Sequence, residues 1–232
     1  VTLVLLDVDG TLVDASGAGR WALERAFETV FGAEGISAVT ARVRFQGRTD
    51  PSVIAEIAAR AGIPEARLSE SARPFEETYL AFLEERLGRS GGARALPGAR
   101  DLLAALERGA IPFGLLTGNI ERGARLKLLA AGIANRFPAG AYGSDGADRD
   151  ALGRIARERF ESILGRGVPP REVVVVGDSP EDVRAARANG YRSLAVATGW
   201  TAAADLEAER PDAVLADLSA TGSVLAWIAA GA

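Results

Sequence analysis

The 232-residue chain contains no histidine and no cysteine. The first absence excludes Ser-His-Asp chemistry and imidazole metal ligands; the second excludes disulfides, thiol nucleophiles and thiolate metal sites. Acid–base work therefore falls mainly to carboxylates. Methionine is missing too, even at position 1, so the natural start is expected upstream of Val1. Among the 27 basic residues Lys127 is the single lysine, a skew read as coding bias before function. No apolar run approaches the roughly 20 residues of a membrane span, and no basic leader precedes an apolar stretch. The expected location is the cytoplasm, with no membrane partner. A net charge of -4 with scattered basic residues gives no concentrated positive footprint, so nucleic acid is not expected as a partner. The sequence leaves the oligomeric state open.

What is present is ordinary globular material: 48% hydrophobic and 25% charged residues in a length that suits one large domain, or a domain carrying an insertion. Thr2–Val8 is a short apolar run rich in β-branched residues that ends at Asp-Gly-Thr, which predicts a buried strand closed by a sharp turn. Similar runs recur at Ile111–Leu116, Val173–Val176 and Ser193–Val196, with weaker ones at Ala139–Tyr142 and Ala213–Leu215. Between them lie amphipathic helical patterns at Ala99–Arg108, Ile120–Ala131, Asp150–Leu164 and Pro180–Ala188. Apolar strands alternating with helices predict an α/β fold with a doubly wound parallel sheet covered on both faces.

From about Ser16 to Arg89 the alternation breaks. Helical patterns at Arg20–Val30, Pro51–Ala61 and Glu70–Leu87 have no strand between them, and Asp50 before Pro51 reads as an N-cap. The segment ends in the Gly-rich stretch GRSGGARALPG, which reads as a flexible joint. The expected organisation is a core of residues 1–15 and 90–232 with an all-helical cap, residues 16–89, on loose connections. Trp21, Phe27, Phe31 and Phe45 are expected in the core of that cap.

Three strand ends carry chemistry. Asp7-Val8-Asp9-Gly10-Thr11 closes the first strand, and ligands of open α/β sheets gather at the carboxyl ends of strands. Alternation starts Asp7 and Asp9 on one side, and carboxylates that close share a proton or bind a cation. Gly10 permits the turn, and Thr11 offers a hydroxyl and an amide to an anion. After the Val173–Val176 run comes Gly177-Asp178-Ser179-Pro180-Glu181-Asp182. Asp178 is placed to complete a site with Asp7 and Asp9; Ser179, Glu181 and Asp182 support it or cap the following helix. Thr117-Gly118-Asn119 leads from a strand into a helix, a ready anion site.

Together these motifs resemble the haloacid dehalogenase superfamily over essentially the whole chain, specifically its magnesium-dependent capped phosphatases. The resemblance implies that Asp7 attacks phosphorus to form an aspartyl-phosphate, and that Asp9 protonates the leaving oxygen and then activates water. It also implies that Thr117 holds the phosphoryl group, and that Mg²⁺ is bound by Asp7, the main-chain carbonyl of Asp9 and Asp178. The family's third motif, a lysine upstream of the Gly-Asp pair, is absent here. Arg149 stands at that spacing after a strand, Lys127 lies further upstream on a helix, and Arg149 is the favoured replacement. In Gln46-Gly47-Arg48-Thr49-Asp50, which is similar to the substrate-facing loop of such caps, Arg48 is the candidate anchor for an anionic group, or Thr49 or Asp50 simply caps a helix. The implied function is hydrolysis of a small phosphorylated metabolite, a phosphoglycolate-like acid being favoured. The alternatives are a sugar-phosphate mutase of the phosphoglucomutase type and a non-catalytic phosphate-dependent binding module. Gly17-Ala18-Gly19-Arg20-Trp21-Ala22 fits the dinucleotide pattern G-x-G-x-x-A, but eight residues including Asp-Gly-Thr separate it from its strand.

Overall fold

Eight strands form in the computed structural model, which describes residues 2–89, 91–134 and 136–230. They are β1 (Leu3–Leu6), β2 (Val13–Asp14), β3 (Arg94–Ala95), β4 (Phe113–Leu116), β5 (Gly140–Ala141), β6 (Val173–Gly177), β7 (Arg192–Val196) and β8 (Ala213–Leu215). Six of them make one sheet in the order β5-β4-β1-β6-β7-β8, and every pairing in it is parallel. β1 is central, with Val4 opposite Phe113 on one side and Val174 on the other. The chain reverses its winding direction beside β1, which puts the site-bearing ends of β1, β4 and β6 next to one another.

Period-two alternation splits the buried strand residues between two apolar layers. Val4, Leu6, Val174 and Val176 pack with Leu102, Leu103 and Leu106 of α6 (Ala99–Arg108) and with Val224 and Ile228 of α10 (Thr221–Ala229). Leu3, Leu5, Val173 and Val175 face the other way, against Leu152, Ala156 and Phe160 of α8 (Arg149–Leu164). Helices on both faces explain why these strands read as continuous apolar runs. The doubly wound α/β sheet expected from the sequence is the fold observed.

Between β2 and β3 the chain builds five helices: α1 (Ala18–Phe31), α2 (Ile36–Thr40), α3 (Asp50–Arg60), α4 (Glu65–Glu70) and α5 (Ala72–Leu87). Phe27, Phe31 and Phe75 cluster at their centre, with Phe27 and Phe75 centroids 4.7 Å apart. α5 lies against α7 (Glu121–Ala130), where Leu83 and the Tyr79 hydroxyl approach Gly123.

Local details differ from the sequence reading. The helical pattern Glu70–Leu87 breaks at Ser71, leaving α4 and α5 as separate helices. Thr49, not Asp50, is the N-cap of α3, its hydroxyl accepting from the Ser52 amide at 3.4 Å. The connections are not loose at both ends. β2 and β3 pair antiparallel, Val13 with Ala95 and Asp14 with Arg94, and the Arg94 guanidinium donates to Asp14 at 2.9 and 3.1 Å. Ser90, within the Gly-rich stretch, lies outside the described residues.

Candidate active site

Asp7 follows β1 directly and its amide donates to the Val176 carbonyl at 3.0 Å, so strand pairing sets where its carboxyl projects. The side chain is buried. Its Oδ1 lies 3.2 Å from a terminal nitrogen of Arg149, which also pairs with Asp182 Oδ1. Arg149 Nε is buried without an acceptor among the described residues. Burial pushes the Asp7 carboxyl up to about 7 in spite of Arg149.

Asp178 follows β6 and is also buried. Burial and then the nearby Asp7 raise its carboxyl well above the usual range. Two close approaches hold it. A Cβ at Gly199 would come within 1.7 Å of Asp178 Oδ2, and one at Gly10 within 2.4 Å. The Thr11 hydroxyl donates to Asp178 at 3.3 Å, and the Gly10 amide donates to the Val13 carbonyl. These groups therefore shape the acid and its turn, with those donors already used. Ser179 caps α9 (Pro180–Ala188) in a reciprocal box with Asp182: the Ser179 hydroxyl and amide donate to Asp182 Oδ2 at 2.6 and 3.1 Å.

Asp7, Asp178 and Asp182 each bring one carboxylate oxygen within 4.8 Å of the others. All three donors are hard oxygens, buried, and costly to leave as adjacent anions, which is a setting that Mg²⁺ fits. Ser179 and Arg149 already hold the Asp182 oxygens, so Asp7 and Asp178 are the more available pair.

Asp9 turns to different partners. Its Oδ2 accepts from Lys127 Nζ at 2.5 Å and from Asn119 Nδ2 at 2.8 Å. Lys127 also donates to Asn119 Oδ1 at 2.5 Å. Asn119 Nδ2 donates to Thr117 Oγ1 at 2.8 Å, and the Asn119 amide reaches the same oxygen at 3.3 Å. With both Thr117 lone pairs occupied, its hydroxyl proton is left to donate to an anion. Burial disfavours the Lys127 charge, but the carboxylates of Asp9 and Asp50 outweigh it and hold the ammonium above its ordinary range. The two cations weighed in the sequence as replacements for one lysine are thus both present, Arg149 on Asp7 and Lys127 on Asp9.

The loop before α3 closes over these strand ends. The Asp50 amide donates to the Gly118 carbonyl at 2.7 Å, and its carboxylate accepts from the Ile120 amide at 2.9 Å, capping α7 from across the pocket. The Thr49 hydroxyl donates to the Ala147 carbonyl at 3.0 Å. A Cβ on Gly118 would meet the Arg48 carbonyl at 2.0 Å, so the glycine admits this loop. Arg44 pairs with Glu181 at 2.9 Å. The Arg48 guanidinium pairs with Glu56 and donates to the Ser52 carbonyl at 3.0 Å.

A pocket of about 720 Å³ opens above Asp7 and Asp9, with Thr117, Lys127, Arg149 and Asp178 in its wall. Its wall also includes Arg20 and Trp200, to which the sequence reading gave no part in the site, and Asp50, read there only as a helix cap. Phe45, expected inside the cap, lines the same pocket, with the Arg20 guanidinium 4.6 Å from its ring centroid. Asp50 stood inside the quoted loop and Trp200 follows another strand reaching the same sheet edge, but neither belongs to a strand-end motif.

Residues 1–190 match the haloacid dehalogenase-like hydrolases. The chain belongs to that family. This hydrolase is 28% identical over 217 residues to a phosphoglycolate phosphatase of Yersinia pseudotuberculosis, spanning 92% of this chain and 88% of that one. It is 33% identical over 229 residues to a phosphoserine phosphatase of Thermus thermophilus, spanning 85% and 89%. Its fold is shared with a hydrolase from Pseudomonas syringae, at a TM-score of 0.71 and 22% identity over 98% of each chain. The hydrolase is an enzyme of the family's phosphatase kind. Among the described residues no helix is long and apolar enough to cross a membrane.

Proposed function

We propose that this enzyme hydrolyses small phosphorylated carboxylic acids, of which a phosphoglycolate-like acid is the favoured form, through a phospho-Asp7 intermediate with Mg²⁺. The observation that carries the reading is the division of charge at the strand ends. Buried Asp7 lies against Arg149, and Asp9, two residues on, lies against Lys127, both facing one pocket. The two relatives' names also share one chemistry, a phosphate monoester that bears a carboxylate.

Asp7 supplies the attacking carboxylate oxygen, and Arg149 offsets the charge of the approaching phosphoryl group. The Thr117 hydroxyl donates to a phosphoryl oxygen. Asp9 gives its proton to the leaving oxygen and then takes one from the water that hydrolyses the acyl phosphate; Lys127 and Asn119 hold its carboxyl in line for both steps. Asp7, Asp178 and the Asp9 main-chain carbonyl would hold Mg²⁺. When bound, the ion supplies positive charge that lets an anionic nucleophile meet an anionic phosphate. Residues 16–89 act as a cap whose loop 44–50 excludes water while Asp7 attacks phosphorus.

The test is a phosphate-release assay with Mg²⁺ across a panel of phosphorylated metabolites, with acid-quenched trapping of the phosphoenzyme. Release from phosphorylated carboxylic acids above sugar phosphates is expected. Transfer of phosphate between sugar positions without release would favour the mutase reading instead.

A further inference from the structure

The pocket is lined by five cationic side chains, and four of them already have a carboxylate. Arg149 is matched to Asp7 and Asp182, Lys127 to Asp9, Arg44 to Glu181 and Arg48 to Glu56. Arg20 is the exception: among the described residues it has neither an ion pair nor a hydrogen-bond acceptor for its guanidinium. Yet it is not simply adrift in solvent. Its guanidinium rests 4.6 Å from the Phe45 ring centroid, so this exposed arginine of α1 lies over an aromatic side chain of the closing loop at the pocket wall. A guanidinium carries five donors in a fork that fits a carboxylate or phosphate edge. Lining a ligand pocket, stacked on one aromatic ring and lacking an internal counter-ion, it is suited to take its counter-ion from the ligand.

We infer that Arg20, and not Arg48, binds the second anionic group of the substrate, so that it selects phosphate monoesters that also carry a carboxylate. The inference rests on the phosphatase reading and deepens it. Arg48 already has Glu56 as its counter-ion and the Ser52 carbonyl as an acceptor, whereas Arg20 has neither. Because Arg20 pairs with a loop aromatic, a ligand anion bound to it would also tie α1 to the closed loop.

The experiment compares 2-phosphoglycolate with p-nitrophenyl phosphate, which has no carboxylate, as substrates in the presence of Mg²⁺. The measured quantity is the ratio of their kcat/KM values in the wild type and in Arg20→Ala, Arg20→Lys and Arg48→Ala, each checked for folding by its melting temperature. The ratio is expected to fall about tenfold or more in Arg20→Ala, the size of one lost charge-assisted contact. The loss should come through KM and be partly recovered in Arg20→Lys. An unchanged ratio in Arg20→Ala, or a fall confined to Arg48→Ala, overturns the inference. A wild type that hydrolyses p-nitrophenyl phosphate but shows no preference for phosphoglycolate also overturns it while the phosphatase reading stands. Hydrolysis of neither compound defeats that reading and the inference with it.

Discussion

Lys127 Nζ lies 2.5 Å from Asp9 Oδ2 although Lys127 sits well inside α7. Counted along the helix, its Cα is roughly 10 Å from the N-terminal end, a distance that favoured Arg149 when the sequence alone was considered. Helical side chains lean toward the N-terminus, and a four-carbon stem recovers the rest. Arg149 is bound to Asp7 and Asp182, so the two cations serve different carboxylates. Alanine at either position should slow turnover by about a hundredfold, equivalent to ~3 kcal/mol of charge stabilisation. Steady-state assays of both variants check this, and near-normal turnover in either one would show that a single cation suffices.

The only lysine among 27 basic residues occupies a buried place where Asp9 and Asn119 both accept at 2.5 Å. A compact ammonium fits there and a planar guanidinium does not. Lys127→Arg should therefore resemble Lys127→Ala in turnover and melt lower than the wild type. Recovery of activity by arginine would mean that charge alone is what the site requires.

Asp7→Asn should abolish phosphate release while the protein stays folded, since the amide is nearly isosteric but a far weaker nucleophile. Burial pushes the Asp7 carboxyl upward, so removing its charge should not lower stability at neutral pH. Phosphate release and thermal melts measured side by side test both halves.

Chelation should stop turnover and Mg²⁺ should restore it, while Ca²⁺ should inhibit because its looser coordination misaligns in-line attack. Undiminished turnover in a thoroughly chelated preparation would exclude the proposed ion.

Asp50 gives a pH signature. Burial raises its carboxyl from 3.8 to about 6, against the pull of Lys127 and the Ile120 amide. The folded state then binds the proton more tightly than the unfolded state, so stability contributed by this group is lost as pH rises through that window. Asp50→Asn keeps an acceptor for Ile120 and removes the titration. Its melting temperature relative to wild type should rise between about pH 4 and 6 and level off above; a constant difference across that range would show that Asp50 titrates normally.

The sheet was legible because its central strands are buried on both faces and so appear as unbroken apolar runs, as in Val173–Val176, while the half-buried edge strand Ala213–Leu215 gave a weaker one. The acids of the site were legible because they sit directly at strand ends, where the chain turns. β2 and β3 were not, since Val13–Asp14 and Arg94–Ala95 are two residues each and depend on one another across the whole helical insertion. The break at Ser71 is likewise hidden in a continuous helical pattern. Lys127 was hard to place because its contribution depends on side-chain reach, and Arg20 because only tertiary packing shows which cations have already found carboxylates.

The Asp14–Arg94 pairing spans 80 positions of sequence, yet it leaves the two ends of the helical insertion adjacent, like the ends of a hairpin. Seen from the sheet, the whole insertion occupies the place of a single turn. A block attached in this way joins the core chain through one short ribbon, so the register of β1 and the acids behind it is set independently of the length of the insertion. On the proposed function, the residues that select the substrate and those that handle phosphate thus lie on different parts of the chain.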